Sequence, residues 1–180
     1  MNLHDVTIAF LDALESLSCE YILVGGIAAT HYGIVRSTYD VDAVVELEGQ
    51  SVQQIAARLG AAFELDPQQS FEVFTSKTMR VIRVPGTPFK IFPLAKEPFD
   101  QERFRRRARI QLEHRQVWMT TPEDLVVQKL RWARRKDLTD AQDVLAVQGD
   151  ALDWPYIYRW CDEHGTRQLL EKLRSEIPPE

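Results

Sequence analysis

Apolar positions Val6, Ile8, Ala9, Phe10, Ala13, Leu14 and Leu17 recur at helical spacing and predict an amphipathic helix from the N-terminus to about Leu17. The pattern then changes to a near-continuous apolar run, Cys19 to Val24, which reads as a buried strand running into Gly25-Gly26. Ile27 to Tyr32 has helix-forming character, with Gly33 as its stop, and Val41, Ala43, Val44 and Val45 mark a second strand. Ser51 is placed to N-cap a helix through Leu59, which Gly60 closes, and Pro67 to open another helical turn. Met79 to Val84, the turn Pro85-Gly86-Thr87-Pro88 and Phe89 to Leu94 read as a β-hairpin. The second half reads as helical. Thr121-Pro122-Glu123-Asp124 supplies a capping hydroxyl, a proline at the first helical position and early acids for a helix running to about Lys136. Trp154, Tyr156, Ile157 and Trp160 read as core positions of a closing helical pair that ends before Pro178-Pro179.

Composition bounds this picture without redrawing it. A chain of 180 residues, 44% hydrophobic and 27% charged, suits one well-cored domain or a core with a helical extension. No apolar run approaches the roughly 20 residues that span a bilayer, and Met1 to Asp5 lacks the pattern of a secretory signal, so a cytoplasmic protein with no membrane segment is expected. Cys19 and Cys161 have no metal-site spacing and read as reduced thiols. The net charge of −5 argues against a general nucleic-acid coat, yet cations cluster at Arg103, Arg105, Arg106, Arg107 and Arg109, and again at Arg131, Arg134, Arg135 and Lys136. On helices these groups form either a positive surface for a phosphate-rich acceptor such as RNA, or solvated faces opposite Phe99, Phe104 and Trp132.

The chemistry concentrates about fifteen residues after the glycine pair, at Asp40 and Asp42. Side chains at i and i+2 of a strand share a face, so these carboxylates converge while Val41 and Ala43 turn to the core. Such a pair attracts Mg²⁺, which takes one or two carboxylates together with substrate phosphates. Gly25 and Gly26, at a strand-to-helix turn, let a ligand approach the backbone where free helix N–H groups favour an anion. Arg36, Ser37 and Thr38 add a cation and two hydroxyls within reach of phosphate. The plain alternatives are a tight turn and a solvated strand end. A dinucleotide site, with Glu46 as the ribose-binding acid, lacks G-x-G-x-x-G, and no P-loop string occurs. Asp140 and Asp143, three residues apart on the next helix, share a face from which they anchor Lys129 or Arg36, or stand exposed. His31 and His164 fall in no metal-binding spacing.

Gly25-Gly26 followed by Arg36-Ser37-Thr38-Tyr39-Asp40-Val41-Asp42 resembles the signature of the nucleotidyltransferase fold shared by polymerase β-like enzymes and minimal bacterial nucleotidyltransferases. The stretch Thr121 to Leu130, followed by Asp140 and Asp143, is similar to the helical half of toxins of the abortive-infection (AbiEii) type. The resemblance covers residues from about 20 to 147. It implies an α+β fold, a mixed β-sheet flanked by helices, with a nucleotidyltransferase-like core over residues 1–120 and a helical C-terminal subdomain over 121–180. The implied activity moves a nucleoside monophosphate from Mg²⁺-NTP to a hydroxyl of RNA, protein or a small molecule, in a toxin that has a cognate antitoxin. Asp40 and Asp42 would bind the metal, Gly25, Gly26, Arg36, Thr38 and Asp143 the nucleotide, and Lys129 would meet the phosphates. One departure stands out. The family's third carboxylate falls in the string Phe89-Lys90-Ile91-Phe92, where Lys90 takes the acid's place unless Glu97 or Asp100 substitutes from the following loop. The alternative is therefore a nucleotide- or RNA-binding module with incomplete chemistry.

Overall fold

A computed structural model describes residues 3–68, 70–72, 77–83 and 87–178. In chain order the elements are α1 (Leu3–Ser16), β1 (Tyr21–Val24), α2 (Gly25–Tyr32), β2 (Val41–Val45), α3 (Val52–Leu59), β3 (Glu64–Leu65), β4 (Ser70–Glu72), β5 (Lys77–Arg83) and β6 (Phe89–Pro93). There follow α4 (Pro98–Arg105), β7 (Ala108–Leu112), β8 (Arg115–Met119), α5 (Pro122–Trp132), α6 (Arg135–Gln148), α7 (Trp154–Glu163) and α8 (Arg167–Ser175). The fold is α+β. Its mixed sheet runs β3-β5-β6-β2-β1-β8-β7, with β4 on β5, and the central β1 pairs antiparallel with β2 and parallel with β8, while β2 and β6 run parallel.

Strand alternation gives this sheet two differently used faces. Tyr21, Leu23, Val41, Ala43, Val45, Phe89 and Ile91 enter the main core with α1, α2, α5 and α7 residues such as Phe10, Ala28, Val126 and Trp160. Ile22, Val24, Val44 and Phe92 point the other way and form a small second cluster with Phe104 of α4. Asp42 and Lys90 belong to that second face, in a row where Val24 pairs with Asp42 and Asp42 with Lys90. A polar site therefore sits on an apolar floor.

Several local expectations meet the structure directly. Ser51 and Gln54 form a reciprocal capping box on α3, and Gly60 ends it at φ +91°. Thr121 caps α5 through the Asp124 amide. Pro67 opens no helical turn; it lies in a bend between β3 and β4. The β5–β6 pairing is antiparallel, while Pro85 and Gly86 of the expected turn lie outside the described residues. The helix expected to run to Lys136 instead stops at Trp132, because Ala133 adopts a left-handed conformation with φ 52° and α6 starts afresh. Residues 108–119, for which no element is expected from the sequence, form the β7–β8 hairpin, so Arg109, expected on a helix with the first basic group, stands on a strand. Cys19 and Cys161 are both buried free thiols, and burial pushes both up in pKa. Among the described residues no helix is long and apolar enough to cross a membrane.

Candidate functional site

A cleft of about 260 Å³ opens between the second face of the sheet and the α5–α6 corner. Its lining includes Gly26, Arg36, Thr38, Asp40, Asp42 and Lys90 from the sheet side, and Lys129, Trp132, Arg134 and Lys136 from the helices. Asp40 immediately precedes β2 and Asp42 is its second residue, so the two carboxylates reach the same cleft.

The glycine pair acts first on the chain itself. Gly25 has φ +65°, and a Cβ there would fall 2.0 Å from Asp42 Oδ2; one on Gly26 would fall 2.3 Å from Thr38 Oγ1. The glycines thus let Asp42 and Thr38 pack against the start of α2. That helix has no side-chain N-cap, so its first amide groups keep their partial positive charge beside the cleft. Gly26 lines the cleft, whereas Gly25 lines a small apolar cavity behind it.

The two aspartates differ in state. Burial, then the neighbouring charge of Asp40, pushes Asp42 up to about 6. Burial also works against ionisation of Asp40, but the hydrogen bond and charge of Lys90 outweigh it and hold that carboxyl below its ordinary value. Lys90 Nζ donates to Asp40 Oδ2 and stands 4.0 Å from Asp42 Oδ1. Thr38 Oγ1 adds a long contact of 3.4 Å to Asp40.

Behind the cleft, Lys129 is 3% exposed and donates to Asp137 at 2.9 Å and to Asp140 at 2.7 Å. Asp140 also receives two hydrogen bonds from Arg36, at 2.7 and 2.9 Å, and Asp137 two from Arg134, at 2.5 and 3.4 Å. The Arg36 and Lys129 bonds hold Asp140 below the usual carboxylate range although burial acts against them. Lys129 is therefore clamped by two acids while still reaching the lining of the cleft. Asp140, not Asp143, anchors both cations. Asp143 packs its Cβ near Gly33 and is not among the residues lining the cleft.

Glu97 and Asp100 do not replace the third acid. Glu97 pairs with Arg131 at 3.3 Å and Asp100 is buried against Arg103 at 3.0 Å; neither lines the cleft. The residues present do not fit a divalent cation between the two carboxylates, because the Lys90 ammonium already holds Asp40 and stands 4.0 Å from Asp42.

The first basic cluster is dispersed. Arg103 pairs with Asp100, Arg105 with Glu102, Arg106 with Glu123 and Asp124, and Arg107 with Glu20, while Arg109 stacks on Trp118. In the second cluster Arg134 and Lys136 do line the cleft. Trp132, expected from the sequence only as an apolar position, lines the cleft with Lys129 Nζ 5.6 Å from its ring centre. Its spacing of i+3 from Lys129 is the signal that could have placed it there.

A family model described as a nucleotidyltransferase of unknown function (DUF6036) matches residues 6–175. Among solved structures, the solution structure of the antibiotic-resistance factor ANT(2'')-Ia is similar at a TM-score of 0.66 and 12% identity, over 98% of this chain and 99% of that one. The crystal structure of ANT(2'')-Ia in complex with adenylyl-2''-tobramycin gives 0.60 and 12%, over 91% and 97%. An antigenic nucleotidyltransferase-like protein from Paracoccidioides brasiliensis gives 0.51 and 19%, over 93% and 90%. At these identities the likeness speaks to the fold. No curated protein sequence matches the chain.

Proposed function

Because the chain belongs to the nucleotidyltransferase family of unknown function (DUF6036), we propose that its cleft binds a nucleoside triphosphate and passes the nucleoside monophosphate to a hydroxyl of a second substrate. The observation that carries this reading is the composition of one cleft: Arg36, Lys90, Lys129, Arg134 and Lys136 surround Asp40 and Asp42 beside the uncapped start of α2. Arg36, Lys90, Lys129 and Arg134 are each held by carboxylates of the chain, so what suits a polyphosphate is their positioned N–H donors, with the exposed Lys136 adding charge. The acceptor oxygen bonds to the α-phosphorus, the bond from that phosphorus to its bridging oxygen breaks, pyrophosphate leaves, and the acceptor proton passes to a carboxylate oxygen of Asp40 or Asp42. The chain's contribution is positioning and charge neutralisation. No step runs through a metal ion.

One fold neighbour, ANT(2'')-Ia, holds an adenylylated tobramycin, which is the form of product such a transfer yields. A toxin role selects a cellular RNA or protein as acceptor and an antitoxin as the partner that restrains it; labelling of a cell extract with α-phosphate-tagged NTP separates those acceptors from small molecules. A second reading, a nucleotide-binding module that does not transfer, is favoured by one observation, the Lys90 ammonium on Asp40.

Melting experiments test the nucleotide site. A ligand that binds only the native state at a hundredfold excess over its Kd stabilises it by about 2.7 kcal/mol, or roughly 5–10 °C for a domain of this size. Saturating NTP should produce that shift, the bare nucleoside much less, and Lys136→Ala should reduce it. A midpoint unmoved by all four NTPs, with and without Mg²⁺, removes the nucleotide reading.

A further inference from the structure

Lys90 stands in parallel register with Asp42 on the neighbouring strand, so its side chain leaves the same face of the sheet at the same height. Its ammonium donates to Asp40 Oδ2 and lies 4.0 Å from Asp42 Oδ1, between the two carboxylates where a shared cation belongs. Both partners are held there. Asp42 is fixed against Gly25, which has no side chain to displace it, and Asp40 is contacted by Thr38. Phe92, two residues on along β6, shares that face of the sheet, belongs to the apolar second cluster and lines the cleft together with Lys90.

We propose that Lys90 replaces the divalent cation at the Asp40–Asp42 pair, so that the site takes its nucleotide as the free polyphosphate rather than as a metal complex. A divalent ion has to strip Lys90 from Asp40 before it can bind, and would then sit within a few ångströms of a positive charge. The phosphates lose nothing by its absence. Lys90 screens them from Asp40, and Arg36, Arg134 and Lys136 face them from the rest of the lining. The substitution is also local. It needs no rearrangement of β6, because a lysine and an acid occupy the same register position and differ only in reach and sign.

Mn²⁺ alone tests the assignment, since it binds hard oxygen sites and can be counted by electron paramagnetic resonance without any nucleotide. The full natural chain should retain no Mn²⁺ at a dissociation constant below about 1 mM, a value on the scale of the weakest carboxylate cation sites. Lys90→Asp should gain one site at least tenfold tighter, and Lys90→Met, which keeps the stem and guards against misfolding of the triacid variant, should gain a weaker one. A tight Mn²⁺ site in the natural chain, or none gained in either folded variant, overturns the proposal. The second arm rests on the nucleotide reading. NTP affinity of the natural chain should agree within about threefold between EDTA and Mg²⁺, while Lys90→Asp should bind NTP only with metal. A natural chain that binds NTP only with Mg²⁺ overturns the proposal and leaves nucleotide binding standing. A chain that binds NTP under neither condition, yet shows the Mn²⁺ pattern expected for Lys90, supports the ammonium's placement and removes the nucleotide.

Discussion

A carboxylate stripped of water on folding holds its proton to a higher pH, and Asp42 is in that position. Burial first, then the charge of Asp40, sets it at about 6, above the ordinary carboxylate value. Between about pH 4 and pH 6 the folded chain therefore binds more protons at this residue than the unfolded chain does. Stability contributed here is full at low pH and is lost as pH rises through that window, to the extent of about 3 kcal/mol. Asp42→Asn removes the titration. We expect the variant to melt roughly 6–12 °C above the natural chain at pH 7.5, a domain of this size moving roughly 2–4 °C per kcal/mol, with the difference vanishing near pH 4. Parallel melting curves from pH 4 to 8 would show that Asp42 keeps its solvation in the fold. The proximity of Asp40 and Asp42 was legible from their spacing alone, because strand geometry is local. The difference in their ionisation was not, since it depends on Lys90 from fifty residues away and on how deeply the fold buries Asp42.

At the scale of elements, α5 and α6 are joined by two residues and locked by charge. The left-handed Ala133 turns the chain so that Lys129 of one helix faces Asp137 and Asp140 of the other, and all three are at most 3% exposed. Removing one member of a buried pair leaves an uncompensated charge, which costs about 3–5 kcal/mol. Lys129→Met should lower stability in urea by that order, whereas Asp143→Asn, outside the network, should change it by less than about 1 kcal/mol. A loss under 1 kcal/mol for Lys129→Met would mean that apolar packing alone holds the corner. Apolar spacing made α1 readable, and cap and stop signals made α3 and the start of α5 so, because a hydroxyl before a proline or a glycine after an apolar run acts within a few residues. The break at Ala133 was unreadable for the opposite reason. Alanine is a strong helix former, and the left-handed turn coincides with an ion network across the corner whose acids lie on the next helix. The β7–β8 hairpin was hidden likewise, its strands carrying arginines whose partners lie on other elements: Arg115 pairs with Asp12 and Glu15 of α1, and Arg109 stacks on Trp118 of the facing strand.

For the whole molecule, charge that clusters in sequence need not cluster in space. Nine cations fall in the two basic groups, and six of them face carboxylates of their own chain: Arg103, Arg105, Arg106 and Arg107 in the first, Arg131 and Arg134 in the second. Arg109, Arg135 and Lys136 stay exposed. Each phosphate contact on single-stranded RNA adds about 0.7 to the slope of log affinity against log salt, so nine contacts would give a slope near −6 and three one of about −2. Because a paired arginine has its field cancelled by the neighbouring acid and the net charge repels a polyanion, the shallower slope is expected for any RNA acceptor. Fluorescence anisotropy of a labelled oligonucleotide between 50 and 300 mM salt measures it directly. Lys136→Ala and Arg135→Ala should flatten the slope further, while Arg105→Ser should leave it unchanged. A slope steeper than about −4 would mean that RNA opens the internal ion pairs, and would return the first basic group to the binding surface.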